Sequence, residues 1–262
     1  MSQASTRSSQ PSGLWHNRSR ALVYNLTPQV YGLSNLALRR LKVARFSELN
    51  DPFELLAIDL VNPDLRAGIR AKNKLINDKQ GLICFSRNWR SPLLWSHYAD
   101  CHRGIALGFE VPEDLLTKVR YVGGMEKLKL RNDSTSQSEI DAFLDRLRFT
   151  KFRAWEYEEE VRQFVDLGGL SREAQLYFLP FSSTLVLRQV ILGVRCDLDI
   201  EAVRKLVARF PMKVHVTKAR IAYSKFGVTE DERYRMTGAA KDAGPAELLG
   251  GGIASLLDGP EA

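Results

Sequence analysis

Short apolar runs of strand length alternate with segments of helical period from residue 21 to residue 221, and this alternation limits the fold more than any other feature. Residues 21–26, 42–46, 82–86, 104–111, 155–165, 185–194 and 212–221 carry the strand-like runs. Between them, residues 31–41 place Leu33, Leu36, Ala37 and Leu41 at helical spacing. Residues 65–76 form a basic amphipathic segment that turns Leu65, Ile69, Leu75 and Ile76 towards the core, and residues 92–99 read as a short helix. Ser136 and Glu139 make a capping-box pattern ahead of Ile140, Phe143, Leu144 and Leu147. Residues 200–210 set Ile200, Val203, Leu206, Val207 and Phe210 on one face. Elements interleaved in this way predict an α+β fold, a single domain of mixed, mainly antiparallel sheet with flanking helices. The domain is expected over 20–236, between a disordered tail at 1–19 and a flexible Gly-rich tail at 237–262. Each tail is too poor in apolar residues to offset its ordering entropy.

Charge and cysteine content narrow the function classes. Lys and Arg number 38 against 31 Asp and Glu, a net charge of +7 that favours phosphate-bearing partners without selecting one. Basic residues gather at Arg18, Arg20, Arg39, Arg40, Lys42 and Arg45, and again at Lys118, Arg120, Lys127, Lys129 and Arg131, but no recognised nucleic-acid module accompanies them. Cys84, Cys101 and Cys196 lack a CxxC spacing, which argues against a zinc ribbon or a disulfide scaffold. No apolar run reaches the roughly 18 residues that cross a bilayer. The first seven residues lack the apolar stretch of a secretory signal, so a cytoplasmic protein without membrane insertion is expected.

Three segments concentrate residues able to do chemistry. In 46–54, Asn50 or Asp51 is placed to cap a helix beginning at Pro52, where a missing N–H costs nothing. In 84–104, a strand ending at Ser86 leads into a helix that turns Trp95, Tyr98 and Ala99 inward and leaves His97 or His102 to face a cleft. His97, Cys101 and Asp100 have no second ligand pair at a metal-site spacing. In 155–162, period-two alternation puts Glu156, Glu158, Glu160 and Arg162 on one strand face and Trp155, Tyr157, Glu159 and Val161 on the other. Such a carboxylate row serves equally as a solvated face with Glu160 paired to Arg162, or as a cleft in which Glu158 or Glu160 acts as acid, base or cation stabiliser.

On these segments the sequence resembles the bacterial and phage domain-of-unknown-function family 2971. The matching stretches are Asn50-Asp-Pro-Phe-Glu54, Leu94-Trp-Ser-His-Tyr-Ala-Asp100 with His102-Arg-Gly104 and Phe109, then Lys151 and Trp155-Glu-Tyr-Glu-Glu-Glu-Val-Arg162, spanning about residues 22–195. The opening strand, Val23-Tyr-Asn-Leu-Thr27, lacks the basic residue the family usually carries there. More loosely, the order of Tyr24 to Thr27, Ser86, His97-Tyr-Ala99 and Glu158-x-Glu160 resembles the ADP-ribosyltransferase fold, which binds NAD without a GxGxxG loop. That resemblance implies an NAD-using transferase that cleaves the nicotinamide–ribose bond, in the manner of a bacterial effector, toxin or defence enzyme. It implies Glu160 as the cation-stabilising carboxylate, with Glu158, Ser86 and His97 as further catalytic residues. Tyr24, Asn25, Trp95, Tyr98 and Arg162 would bind NAD, with Trp95 or Tyr98 stacking on nicotinamide and Arg162 or Arg87 meeting the pyrophosphate. The acceptor is left open among protein, nucleic acid, small molecule and water. Two other readings stand beside it: a nucleic-acid-directed protein or nuclease using the basic patches, and a non-catalytic binding module.

Overall fold

The computed structural model describes residues 19–59, 61–127 and 136–234. Arg18, Lys129, Arg131, the expected tail up to residue 18 and the tail expected over 237–262 lie outside the described residues. The described residues up to Asp231 form one compact unit, and the single turn Glu232–Tyr234 belongs to a second.

The alternation in the sequence becomes an α+β fold around a mainly antiparallel sheet. β1 (Arg20–Thr27) leads through α1 (Gln29–Leu38) to β2 (Arg40–Val43), and α2 (Pro63–Lys79) runs into β3 (Gln80–Ser86). α3 (Pro92–Tyr98) precedes β4 (Ile105–Pro112), which is followed by β5 (Thr117–Lys118) and β6 (Arg120–Val122). α4 (Gln137–Leu147), β7 (Thr150–Phe152) and β8 (Glu160–Asp166) come next, then β9 (Ser171–Glu173), β10 (Leu176–Pro180) and β11 (Val186–Leu192). α5 (Ile200–Val207), β12 (His215–Ile221) and β13 (Val228–Glu230) complete the unit.

Eight strands form the main sheet in the order β13-β12-β11-β4-β1-β3-β8-β5. Among the described residues of this sheet only β11 and β12 pair in parallel, across α5, while β6 and β7 make a separate parallel pair. β1 zips to β4 over its full length, from Arg20 opposite Pro112 to Thr27 opposite Ile105. β3 zips equally fully to β8, from Gln80 opposite Asp166 to Ser86 opposite Glu160. β1 and β3 meet at one register pair, Tyr24 opposite Ser86. The sheet is therefore two well-paired halves joined at a point.

Val23, Leu107, Phe109 and Val190 centre the main core, against which Leu36 of α1 and Val203 and Val207 of α5 pack. Local signals hold where they are chemically complete. Ser136 accepts the Glu139 N–H and Glu139 reaches back to the Ser136 N–H at 2.9 Å, so α4 begins where the capping box requires. Among the described residues no helix is long and apolar enough to cross a membrane.

Three local expectations are corrected. No helix follows Asp51; its Oδ1 instead accepts the Phe53 N–H at 2.9 Å, closing a tight turn. Leu75 points to solvent at 59% exposure, whereas Ile69 is buried and Leu65 and Ile76 pack half-buried against the core as expected. Residues 153–158 are a 3-10 helix, and the strand starts only at Glu160. Glu159 sits between them in the left-handed region (φ 45°), so the alternation read across 155–162 holds only from Glu160 on, where Glu160 and Arg162 pair as expected.

Candidate functional site

The gap between the two sheet halves opens into a pocket of about 490 Å³. Tyr24 and Asn25 of β1 form one wall, and Cys84 and Ser86 of β3 form another. Asn25 Nδ2 donates to the Cys84 carbonyl at 3.2 Å, bridging strands that do not otherwise pair there. Because Tyr24 is opposite Ser86 and Ser86 opposite Glu160, the register sets these three residues in one row across β1, β3 and β8. His97 and Tyr98 come from α3, and the floor carries Glu54, Lys151, Glu158 and Glu160.

That floor is a buried ionic network of three carboxylates and two cations. Arg162, with no exposed surface, grips Glu54 through both terminal nitrogens at 2.7 and 2.9 Å. Its Nε donates to Glu160 at 2.7 Å and its Nη1 to the Arg148 carbonyl at 2.7 Å. Lys151 Nζ donates to Glu158 at 2.7 Å and Glu160 at 3.3 Å, and lies 3.7 Å from Glu54. The Tyr98 hydroxyl donates to the other Glu158 oxygen and accepts from Asn50 Nδ2 at 2.9 Å. The Glu160 N–H donates to the Tyr121 hydroxyl at 2.9 Å. Burying ions is tolerable only when nearly every lone pair and N–H finds a partner, and these do.

Electrostatics separates the carboxylates. Burial works against ionisation of Glu160, but Arg162 and Lys151 outweigh it and hold the carboxyl at about 2. Burial raises Glu158 and Glu54 despite Lys151 and Arg162 respectively. Burial and the neighbouring Glu158 charge push the Tyr98 hydroxyl well up, so it remains a donor. Cys84 is likewise driven up by burial and by Glu160 beside it, which leaves it a thiol. Glu160 is thus fixed as an anion, while Glu54 and Glu158 beside it hold their protons more tightly.

The structure brings together most, not all, of the residues singled out in the sequence. Tyr24, Asn25, Ser86, His97, Tyr98, Glu158 and Glu160 line the pocket. Ser86 holds its own turn, donating to the Asn88 carbonyl at 2.7 Å and accepting the Asn88 N–H at 3.0 Å. His97 Nδ1 meets the Tyr157 hydroxyl at 2.8 Å at the mouth. His102 instead stacks on Trp95 and is not on the pocket wall. Trp95 itself has no exposed surface and donates to the Trp89 carbonyl at 2.6 Å, so it belongs to a core cluster and offers no stacking face. Arg162 lies behind the carboxylates with its donors engaged, and Arg87 is exposed off the pocket wall, so neither meets a ligand there. Glu156 is exposed and stands apart from the carboxylate cluster.

Glu54, Asn50, Tyr121 and Lys151 join the site without having been chosen as site residues. Lys151 was visible only as part of the family resemblance, and the 50–54 segment was read as a helix cap. Lys42, paired with Glu48 at 3.0 Å, adds a cation at the rim. Among the described residues no group of His, Cys, Asp and Glu is arranged to hold a metal ion. The carboxylates that do converge are cross-linked by Lys151 and Arg162 instead. No family model, curated protein or solved structure matches this chain.

Proposed function

We propose that this chain is an ADP-ribosyltransferase-like enzyme that cleaves the nicotinamide–ribose bond of NAD in the pocket between β1 and β3. The row Tyr24, Ser86, Glu160 across three neighbouring strands carries this reading, because it gathers residues separated by more than a hundred positions at one pocket. The pocket volume lies in the ordinary range for small-molecule sites.

Breaking the bond sends its electron pair to nicotinamide, which leaves neutral, while positive charge develops on the ribose as in glycoside hydrolysis. Glu160, held ionised, stabilises that charge from a water-poor floor whose orientation is already fixed by Arg162 and Lys151. An acceptor nucleophile then takes the ribosyl carbon and loses its proton. Tyr98 is the aromatic of α3 available to nicotinamide, in place of Trp95, and Lys42 is the rim cation available to phosphate, in place of Arg162. The resemblance to family 2971 over about residues 22–195 joins the same segments to one another and adds no chemistry.

Calorimetric titration with NAD tests the reading. Wild type should bind one NAD, and Asn25→Ala, which removes a pocket-wall amide without touching the ionic network, should weaken binding about tenfold. Absence of saturable NAD binding overturns the proposal.

A further inference from the structure

At the other end of β1 from Asn25 lies a second pocket, of about 530 Å³, whose lining shares no residue with the first. Phe181, Leu185, Leu187, Phe210 and Met212 make an apolar lining, and Arg20, Arg39, Arg188 and Glu110 are the charged groups around it. Adjacent strands build this rim. Arg20 on β1 and Arg188 on β11 both clamp Glu110 on the intervening β4, with Nε contacts of 2.7 and 2.6 Å. Arg20 is further occupied by the Glu110 and Ser183 carbonyls at 3.0 Å. Arg188 uses only its Nε, and among the described residues its two terminal amino groups have no partner. Arg39 lies 4.8 Å from the Phe210 ring centre and spends one amino group on the Arg209 carbonyl.

We propose that this pocket binds an amphiphilic anion, an acyl or aryl body carrying a carboxylate or phosphate monoester. Three arginines against one glutamate leave the rim with excess positive charge, and the free fork of Arg188 matches the paired oxygens of such a head group. The apolar lining takes the body, and a single anionic group suits a rim where Glu110 has already consumed much of the positive charge. The site is independent of the NAD pocket, and neither reading depends on the other.

Calorimetry on the full chain with octanoate, octyl phosphate and octylamine provides the test. One or both anions should bind with one-to-one saturation and octylamine should not, the stronger of the two anions identifying the head group. Arg188→Gln, which leaves the Arg20–Glu110 pair intact, should weaken binding tenfold or more. Met212→Asp, at a position 46% exposed and hence outside the core, should abolish it. Circular dichroism checks that both variants keep the fold. Three results overturn the proposal: no saturable anion binding, equal binding of octylamine, or anion affinity unchanged in both variants.

Discussion

Replacing Arg162 with Met removes the cation on which two carboxylates of the site depend. The guanidinium is wholly buried and makes two hydrogen bonds to Glu54, two to Glu160 and one to the Arg148 carbonyl. Glu160 sits at about 2 against an ordinary 4.5, a gap worth about 3 kcal/mol at neutral pH, to which Lys151 also contributes. Removing one partner of a buried ion pair costs about 3–5 kcal/mol, which agrees with that figure. The sign with pH follows from the direction of each displacement. Glu160 is depressed in the folded state, so its contribution is present above pH 4.5 and is lost as pH falls towards 2. Glu54 is raised by burial, so its contribution has the opposite sign and weakens the fold as pH climbs past the ordinary value. Without Arg162 the Glu160 carboxyl loses its main cation and rises, and Glu54 rises further. Urea unfolding should therefore show Arg162→Met less stable by about 3–5 kcal/mol at pH 7.5, with the deficit shrinking towards pH 4 as the orphaned carboxyls take up protons. Adding Glu54→Gln to Arg162→Met should recover part of the loss, because one orphaned charge is removed with its partner. A deficit under about 1 kcal/mol, or one identical at the two pH values, would refute the reasoning.

Other perturbations probe single contacts. Tyr98→Phe deletes the hydroxyl donated to Glu158 and should cost about 1.5–3 kcal/mol by the same unfolding assay; a silent substitution would deny that bond its weight. Ser136→Ala breaks one arm of the capping box and should cost about 1 kcal/mol, leaving the pocket and any NAD binding untouched. Asp100, Cys101 and His102 are three successive residues in the left-handed region, at φ 45°, 49° and 72°. Cys101 is exposed, so Cys101→Gly should relieve strain and raise stability by about 0.5–1 kcal/mol, read as a higher urea midpoint.

Which parts of this protein were legible in the sequence depends on how locally they are determined. α4 announced itself because Ser136 and Glu139 complete their bonds within one turn. α5 did so because its apolar stripe is the face that packs on the sheet, with Val203 and Val207 in the main core. The pocket floor was half legible. Glu158 and Glu160 were singled out from a strand alternation that is real only from Glu160 on, and they converge because Glu159 turns left-handed between a 3-10 helix and β8. The partner of Arg162 was hidden for a different reason: Glu54 is 108 residues away, and no local pattern distinguishes a future buried ion from a helix-capping segment. Trp95 is buried as its helical spacing implied, and only the stacking role taken from the resemblance fails, because a buried aromatic and a ligand-stacking aromatic share that spacing. The single pairing of β1 with β3, which makes the pocket, is a property of the assembled sheet and of no segment within it.

In the proposed reaction Glu160 stabilises the cation formed when NAD loses nicotinamide. Nicotinamide release from NAD, followed at pH 7 for wild type and for Glu160→Gln shown by circular dichroism to be folded, tests it most directly. Wild type should release nicotinamide, and the variant should release it more slowly by about a hundredfold or more. Equal release by the two proteins, or none by the wild type, would contradict it.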